Sequence, residues 1–266
     1  MGNALKDRAH CALEVANDDT GFATRSCSSD GGGSVSQRTG SSRKVLASAE
    51  NASKRFRALG DRYPQLGPLL YISSFQYFFI QFVVSLRWSP PYSLKRDTIS
   101  DLGNTACGRF NGRYICSPLH TLMNVSFVVL GVTMVAGSVL VWRGLSSARA
   151  RSLGFAFMGI GGIGVVLVGL FPENSVSALH GIGSALPFLI GNVGVLMLGF
   201  SLKLPVVLRL LTLITGAVAL TALVFYASTH YLGVGEGGIE RLVAYPQTIW
   251  LVAFGAYLSI HQTRER

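Results

Sequence analysis

Six long apolar segments constrain this chain more than any other feature of its sequence. They cover about residues 66–86, 119–142, 153–171, 178–201, 206–229 and 243–261. A helix that spans a bilayer needs about 20 mostly apolar residues, and each segment has roughly that length. Only 14% of the residues are charged, against about 25% in soluble domains. The sequence therefore predicts an all-α integral membrane protein with six transmembrane helices.

The segment before the first apolar run has a different composition. Residues 1–63 are polar and basic, and residues 1–44 are rich in Ser and Gly. Such a composition buries too little apolar surface to offset the entropy lost on ordering. We predict a largely disordered, cytoplasmic tail at residues 1–63 and a six-helix transmembrane domain at residues 64–262.

The distribution of Lys and Arg predicts the orientation in the membrane. If the six segments span, 17 of the 23 cations lie in the two tails and the loops on their side, and 6 lie on the other side. Cytoplasmic loops carry an excess of Lys and Arg, so both termini should be cytoplasmic. The net charge of +10 follows from this placement, and we do not expect a nucleic-acid partner. We expect membrane lipids as partners, together with a membrane protein or a second copy of the chain as alternatives.

Three histidines lie at one membrane level in this topology. His120 opens the second helix, His180 opens the fourth, and His230 follows the fifth, all on the extracytoplasmic side. Three imidazoles can hold Zn²⁺ and leave a position for water, whose pKa the metal lowers. The pattern therefore indicates a possible zinc site at His120, His180 and His230. Asp101, in the first extracytoplasmic loop, is the candidate catalytic residue, as a ligand or a general base.

The spacing of the histidines leaves two alternatives open. They are far apart in the sequence, and no HxxxH or HExxH pair is present. A polar cluster without metal, which binds a substrate or transfers protons, also explains the pattern. Histidine is also common at membrane interfaces, so the three side chains can be unrelated. The sequence offers no cofactor other than this possible zinc.

Two further patterns concern local structure. Cys107 and Cys116 lie in the same extracytoplasmic loop, where the compartment is oxidising, so we predict a disulfide between them. In the fourth helix, Ser177, Gly181 and Ala185 form a small-xxx-small pattern that favours close helix packing. Pro187, later in that helix, predicts a kink.

Motifs around the second helix carry a resemblance. "SLKRDTISDLGNT" precedes "ICSPLHTLMNVSFVVLG", an "FP" turn and a histidine open the fourth segment, and "ER" precedes the last. Over about residues 66–261 the chain resembles the bacterial and archaeal integral membrane family known as domain of unknown function nine-nine-eight. The matching positions are Ile99, Ser100, Asp101, Leu102, Gly103, Cys116, Ser117, Pro118, His120, Met123, Asn124, Phe171, Pro172, His180, Glu240 and Arg241.

The resemblance implies a multi-pass protein of the bacterial plasma membrane and supplies no activity. Together with the shared membrane level, it indicates a polar binding cluster, whose members are Ser100, Asp101, His120, Asn124, His180, Glu240 and Arg241. Three functions fit these residues. The first is binding of a lipid or partner protein through the cluster. The alternatives are a metal-dependent hydrolase that acts on an outer-leaflet lipid and a proton-coupled transporter.

Overall fold

The computed structural model describes residues 60–145 and 148–264, together with residues 48, 50, 51, 54, 55 and 58. The chain divides into two units, Met1–Arg55 and Phe56–Arg266, and the second contains all the helices discussed below. The predicted disorder of residues 1–44 lies outside the described residues. The predicted boundary at residue 63 stays a prediction.

Six helices in the second unit are long and apolar enough to cross a membrane. They are α1 (Leu66–Ser85), α2 (His120–Arg143), α3 (Arg149–Leu170), α4 (Ser177–Ser201), α5 (Val206–Ala227) and α6 (Gly235–Arg264). The predicted six-helix membrane fold is confirmed. The cytoplasmic placement of both termini stays a prediction.

The packing of the helices has the apolar exterior that lipid requires. Large apolar side chains such as Val207 and Phe200 point outward and are 81% and 69% exposed. The interior contains a cluster of aromatic side chains, in which the rings of Trp250 and Phe254 stack with centroids 4.9 Å apart. Tyr71 lies against both rings, and this cluster joins α1 to α6.

Glycines let α3 approach the helices on both of its sides. A Cβ atom at Gly162 would overlap the Gly131 carbonyl oxygen of α2, and one at Gly164 would overlap the Gly183 carbonyl oxygen of α4. Helices in a bilayer associate through such small residues, because lipid tails provide no hydrophobic force between helices. α3 is therefore packed closely between α2 and α4.

The predicted packing through Ser177, Gly181 and Ala185 is wrong. All three residues are exposed, and a Cβ added at Gly181 would meet no neighbouring side chain or element within 4 Å. The physical reason is the rotation of α4 about its axis. Gly183, on a different face, makes the close contact with α3, and the small-residue face is left open.

Helix α4 changes its winding at the proline. Residues Ser177–Ala185 are α-helical, Leu186–Gly191 are π-helical, and Asn192–Ser201 are α-helical again. Pro187 has no N–H to donate to the preceding turn, so the regular hydrogen-bond pattern cannot pass through it. Such π-helical segments are frequent at functional sites.

The loop between α1 and α2 has its own structure. A 3₁₀ turn at Ser100–Gly103 is followed by two antiparallel strands, β1 (Gly108–Phe110) and β2 (Arg113–Ile115). The strands are joined by Asn111 and Gly112, whose φ angles are 47° and 76°. Both central residues of a type I′ hairpin turn need positive φ, which Asn-Gly adopts readily. The Cys107–Cys116 disulfide closes the base of this hairpin.

Candidate functional site

Asp101 organises the first loop from the inside. Its side chain is completely buried, and its Oδ2 accepts a hydrogen bond of 2.7 Å from the Thr98 backbone N–H. The Thr98 hydroxyl in turn accepts one of 3.0 Å from the Asp101 N–H. This reciprocal pair resembles a helix capping box and fixes the 3₁₀ turn. Asp101 therefore shapes the loop, and both its predicted roles, as base or as metal ligand, stay predictions.

Arg113 connects the hairpin to two carboxylates. Its Nη2 lies 3.2 Å from Asp101 Oδ2, and its Nη1 lies 2.8 Å from Glu236 Oε2 in the first turn of α6. The Arg113 side chain is only 14% exposed, so solvent screens these pairs weakly. The hairpin is thus attached to α6 by charge.

Glu240 lies one helical turn after Glu236 in α6, and its side chain binds the 3₁₀ turn of the first loop. Its carboxylate accepts hydrogen bonds from the Ile99 backbone N–H and from the Ser100 hydroxyl, the latter at 3.1 Å. Glu240 is almost fully buried, and a buried carboxylate needs such donors because it has left water. The start of α6 therefore holds the loop that contains Ser100 and Asp101.

His180 approaches Ser100 from α4. Its Nε2 lies 3.1 Å from the Ser100 hydroxyl oxygen, and its Nδ1 lies 3.0 Å from the Phe171 carbonyl oxygen. A carbonyl oxygen only accepts, so Nδ1 carries a proton and donates to Phe171. Ser100 therefore stands between an imidazole and the Glu240 carboxylate, 3.1 Å from each.

Arg241 faces a different part of the protein from its neighbour Glu240. Its Nη1 donates to the carbonyl oxygens of Leu94 and Asp97, at 3.1 and 2.9 Å. Its Nη2 donates to the Tyr92 hydroxyl. Arg241 thus fixes the part of the first loop that follows α1, while Glu240 fixes the 3₁₀ turn.

Two other predicted cluster members, His120 and Asn124, and the predicted metal ligand His230 form no hydrogen bond with Ser100 in the described part of the chain. His120 Nδ1 contacts the Ser117 carbonyl oxygen at 2.9 Å, within its own helix start. Asn124 Nδ2 donates to the Gly103 carbonyl oxygen at 2.9 Å and supports the end of the 3₁₀ turn. His230 is exposed at the end of α5.

The zinc site predicted at His120, His180 and His230 stays a prediction. Both ring nitrogens of His180 already contact protein oxygens, whereas zinc ligation requires a free nitrogen on each ring. Among the residues that the structure describes, no three His, Cys, Asp or Glu side chains group closely enough to hold a metal ion.

A cavity of about 370 Å³ lies beside Ser100 and His180, and we call it the polar cavity. Residues of the first loop, α4, α5 and α6 line it, including Arg113, Glu173, His180, Gly181, Tyr226, Glu236 and Glu240. Three carboxylates thus face it, against one guanidinium that already pairs with Asp101 and Glu236. The volume is within the range of small-molecule sites, and the described walls carry three acidic side chains and one basic one.

A narrower, mainly apolar cavity continues from the polar cavity into the bundle. This core cavity measures about 40 Å³ and is lined by side chains such as Phe127, Met134 and Val165. Ser100, Ser184, Phe188 and Glu240 line both cavities. The polar cavity therefore adjoins an apolar one at Ser100 and Glu240.

With this geometry in place, comparison with known proteins gives one match. The sequence profile of the family described as "Protein of unknown function (DUF998)" matches residues 72–257. The chain belongs to this family. No curated protein and no solved structure matches the chain. In this DUF998 protein, four predicted positions, Ser100, Asp101, His180 and Glu240, gather around the 3₁₀ turn.

Sequence reasoning missed three residues of this DUF998 site. Arg113, Glu173 and Glu236 line the polar cavity, yet none was predicted as a cluster member. For Arg113 the signal was present, because Asn111-Gly112 between two short β-prone stretches indicates a hairpin, which places Arg113 beside its turn. Glu173 and Glu236 were recognisable only as acids at the same membrane level.

Glu173 has an unusual protonation equilibrium. It lies in the loop before α4, and its Oε1 accepts a hydrogen bond of 3.0 Å from Asn104 Nδ2. Burial, followed by repulsion from Asp101, raises the pKa of Glu173 to about 8. A cation placed in the polar cavity would relieve this repulsion and lower the pKa again.

We expect Glu173 to make the stability of the protein depend on pH. The pKa of Glu173 is higher in the folded state than the ordinary value of 4.5, so the folded protein binds the proton more tightly. Its contribution to stability is complete below about pH 4.5 and is lost as the pH rises through about 8. Melting curves in detergent between pH 5 and pH 9 should show wild type losing stability relative to Glu173→Gln as the pH rises.

The matched control for this prediction is Glu50→Gln, which removes an exposed carboxylate. Its melting temperature should stay at a constant offset from that of wild type over the same pH range. Parallel pH profiles for wild type and Glu173→Gln would contradict the prediction.

Proposed function

We propose that the protein binds, within the membrane, an amphiphile with a positively charged amine headgroup. The headgroup occupies the polar cavity, and the beginning of the apolar chain lies against the open face of α4. The observation that carries this proposal is the excess of carboxylates on the cavity wall, where Glu173, Glu236 and Glu240 face one guanidinium.

The electrostatics of the cavity support a cationic ligand. Arg113 is already shared between Asp101 and Glu236, so it does not compensate Glu173 or Glu240. The raised pKa of Glu173 has the same cause, namely a carboxyl group that is buried near other carboxylates. An ammonium group donates three hydrogen bonds and accepts none, which suits a wall of carboxylate oxygens.

The open face of α4 supports an amphiphile that arrives from the lipid side. Ser177, Gly181 and Ser184 line the polar cavity along one face of α4, and Gly181 is exposed with free space around it. A headgroup can enter here while its chain stays among apolar side chains such as Ile182, which is exposed to the outside. The predicted partner class, membrane lipids, fits this route.

The test uses oleylamine, with oleyl alcohol of the same chain length as the uncharged comparison. The full chain in detergent should bind oleylamine more tightly than the alcohol, because only the amine meets the carboxylates. Gly181→Leu places a side chain in the cavity mouth and should weaken oleylamine binding by about tenfold or more, the equivalent of about 1.4 kcal/mol. Titration calorimetry measures the affinity of wild type for the amine and the alcohol, and the affinity of Gly181→Leu for the amine.

The matched control is Gly159→Leu, at another glycine with no neighbouring atom within 4 Å of an added Cβ. Gly159 lies in α3, away from the polar cavity, so this variant should bind oleylamine as wild type does. Equal binding of amine and alcohol, or equal binding by the two leucine variants, would overturn the proposal. In that case a protein partner would be the better candidate.

A second candidate function, a serine-dependent membrane hydrolase, is favoured by the contact between Ser100 and His180. Ser100 has one hydroxyl proton, which it donates to Glu240 in this structure. If the hydroxyl turns toward His180 instead, it donates to Nε2, which has a free lone pair because Nδ1 carries the ring proton. That is the arrangement of an activated serine nucleophile. In such a reaction the Ser100 oxygen attacks an ester carbonyl, its proton passes to His180 and then to the leaving alkoxide, and water later releases the acid from Ser100. During the attack, negative charge develops on the ester carbonyl oxygen. The neighbouring Glu240 carboxylate would repel that charge, so binding remains our first proposal.

A fluorophosphonate probe separates the two candidates. A hydrolase would attach the probe covalently to Ser100, and Ser100→Ala would not be labelled. The binding proposal expects no labelling of Ser100 in wild type, while oleylamine binding is retained.

A further inference from the structure

A second pocket lies on the side of the bundle, between α1 and α6. It measures about 660 Å³ and is bounded by the end of α1, the chain that follows it, and the first turns of α6. We call it the lateral groove, and the residues that matter for it are Gln81, Phe82, Leu86, Trp88, Tyr92 and Arg241. It shares no lining residue with the polar cavity or the core cavity.

Three residues that line this groove each carry a buried hydrogen-bond donor with no partner in the protein. The donors are Gln81 Nε2, Trp88 Nε1 and Arg241 Nε, and their side chains belong to residues only 5%, 7% and 7% exposed. Buried polar groups in native proteins are almost always hydrogen-bonded, so three orphans along one groove need an explanation.

All three orphans are donors, and this fixes the kind of partner they need. Gln81 Oε1, the acceptor of that amide, is already used by the Tyr245 hydroxyl at 2.8 Å. A molecule that fills the groove must therefore bring acceptor oxygens.

The charge of Arg241 adds a preference for an anion. Its hydrogen bonds go to three carbonyl oxygens and to the Tyr92 hydroxyl, and it also interacts with the Tyr245 side chain. Among the described residues no carboxylate lies within ion-pair distance of Arg241, and no acidic side chain lines the groove. A buried guanidinium that has no carboxylate at ion-pair distance favours a negatively charged ligand.

The rim of the groove is apolar and faces outward. Phe82 and Leu86 line the groove and are 62% and 66% exposed. The helix α1 to which Phe82 belongs is one of the six spanning helices, so this rim faces acyl chains. The groove therefore combines a donor-rich, cationic wall with an apolar border.

We propose that the lateral groove binds the phosphate of an anionic phospholipid, with the Gln81, Trp88 and Arg241 donors directed to the phosphate oxygens and the acyl chains against Phe82 and Leu86. The site is independent of the polar cavity and takes the opposite charge. Glu240 and Arg241, adjacent in the chain, thus serve two different ligands from one turn of α6.

The test measures binding of dioleoyl phosphatidylglycerol to the full chain by native mass spectrometry, against dioleoylglycerol, which has the same chains and no phosphate. Trp88→Phe removes one orphan donor. The double variant Gln81→Leu with Tyr245→Phe removes another, together with the hydroxyl that Gln81 accepts from. Each should weaken phospholipid binding about three- to tenfold, because each removes one hydrogen bond to the ligand, and neither should change dioleoylglycerol binding.

Trp142→Phe is the matched control. Trp142 lies near the C-terminal end of α2 and does not line the lateral groove. The substitution removes an indole N–H that donates to Ser152 of α3. It should bind the phospholipid as wild type does. Unchanged phospholipid binding by both groove variants, with wild-type melting temperatures, would overturn the proposal. So would equal retention of phospholipid and dioleoylglycerol. Displacement of the phospholipid by an equal concentration of inorganic phosphate would show a site for free phosphate instead, which also overturns it.

Discussion

Asp101→Ala is expected to lower the free energy of unfolding by about 3–5 kcal/mol, the usual effect of removing one partner of a buried ion pair. The substitution leaves the Thr98 backbone N–H without its acceptor and deprives Arg113 of one of its two carboxylates. Chemical unfolding of the detergent-solubilised protein, followed by tryptophan fluorescence, measures the change.

Two comparisons make this result specific. Asp61→Ala removes an exposed carboxylate and should change the stability by no more than about 0.5 kcal/mol. Asp101→Asn keeps an acceptor for Thr98 but loses the charge, so its effect should lie between the two. If Asp101→Ala were as mild as Asp61→Ala, the first loop would not depend on this carboxylate.

Gly164→Leu is expected to destabilise the protein by about 3 kcal/mol, at the upper end of the usual cost of overpacking a core. A side chain at this position meets the Gly183 carbonyl oxygen, Leu186 and Pro187 of α4. Because the carbonyl oxygen cannot move without shifting the helix, α3 and α4 must separate. The loss is measured as a shift of the unfolding midpoint in detergent.

The same helix supplies the control. A Cβ atom added at Gly159 meets no neighbouring atom within 4 Å, and replacing a half-buried helical glycine by leucine favours the helix. The stability of Gly159→Leu should equal or exceed that of wild type. Similar losses for both substitutions would mean that glycine in α3 is needed for a reason other than its contact with α4.

The six helices were predictable because their physical cause is local. A run of about 20 apolar residues is stable only as a helix that spans the bilayer. The predicted starts and ends agree with the observed helices to within a few residues for α1 to α5. The exception is α6, which begins at Gly235 rather than near residue 243. Its first two turns are polar, so the apolar run in the sequence begins only after them. These two turns carry Glu236, Glu240 and Arg241.

That Ser100, His180 and Glu240 lie at one end of the bundle, where they are in contact, was predictable, but the direction of each candidate side chain was not. Depth follows from position along a spanning segment, whereas direction depends on how each helix is rotated about its axis. His180 faces Ser100, whereas His230 is exposed. The prediction that the small residues of α4 pack against a neighbouring helix was wrong for the same reason. Gly181 and Gly183 lie on different faces of α4, and of the two only Gly183 meets α3.

The contacts of the first loop have a consequence for the order in which the protein is made. Ile99 bonds to Glu240, 141 positions later, and the Asp97 carbonyl bonds to Arg241, 144 positions later. A ribosome therefore completes five spanning helices before it supplies the residues that close this loop. Until α6 is inserted, Ile99 and Ser100 lack the Glu240 carboxylate that accepts their hydrogen bonds, so closure of the first loop waits for α6.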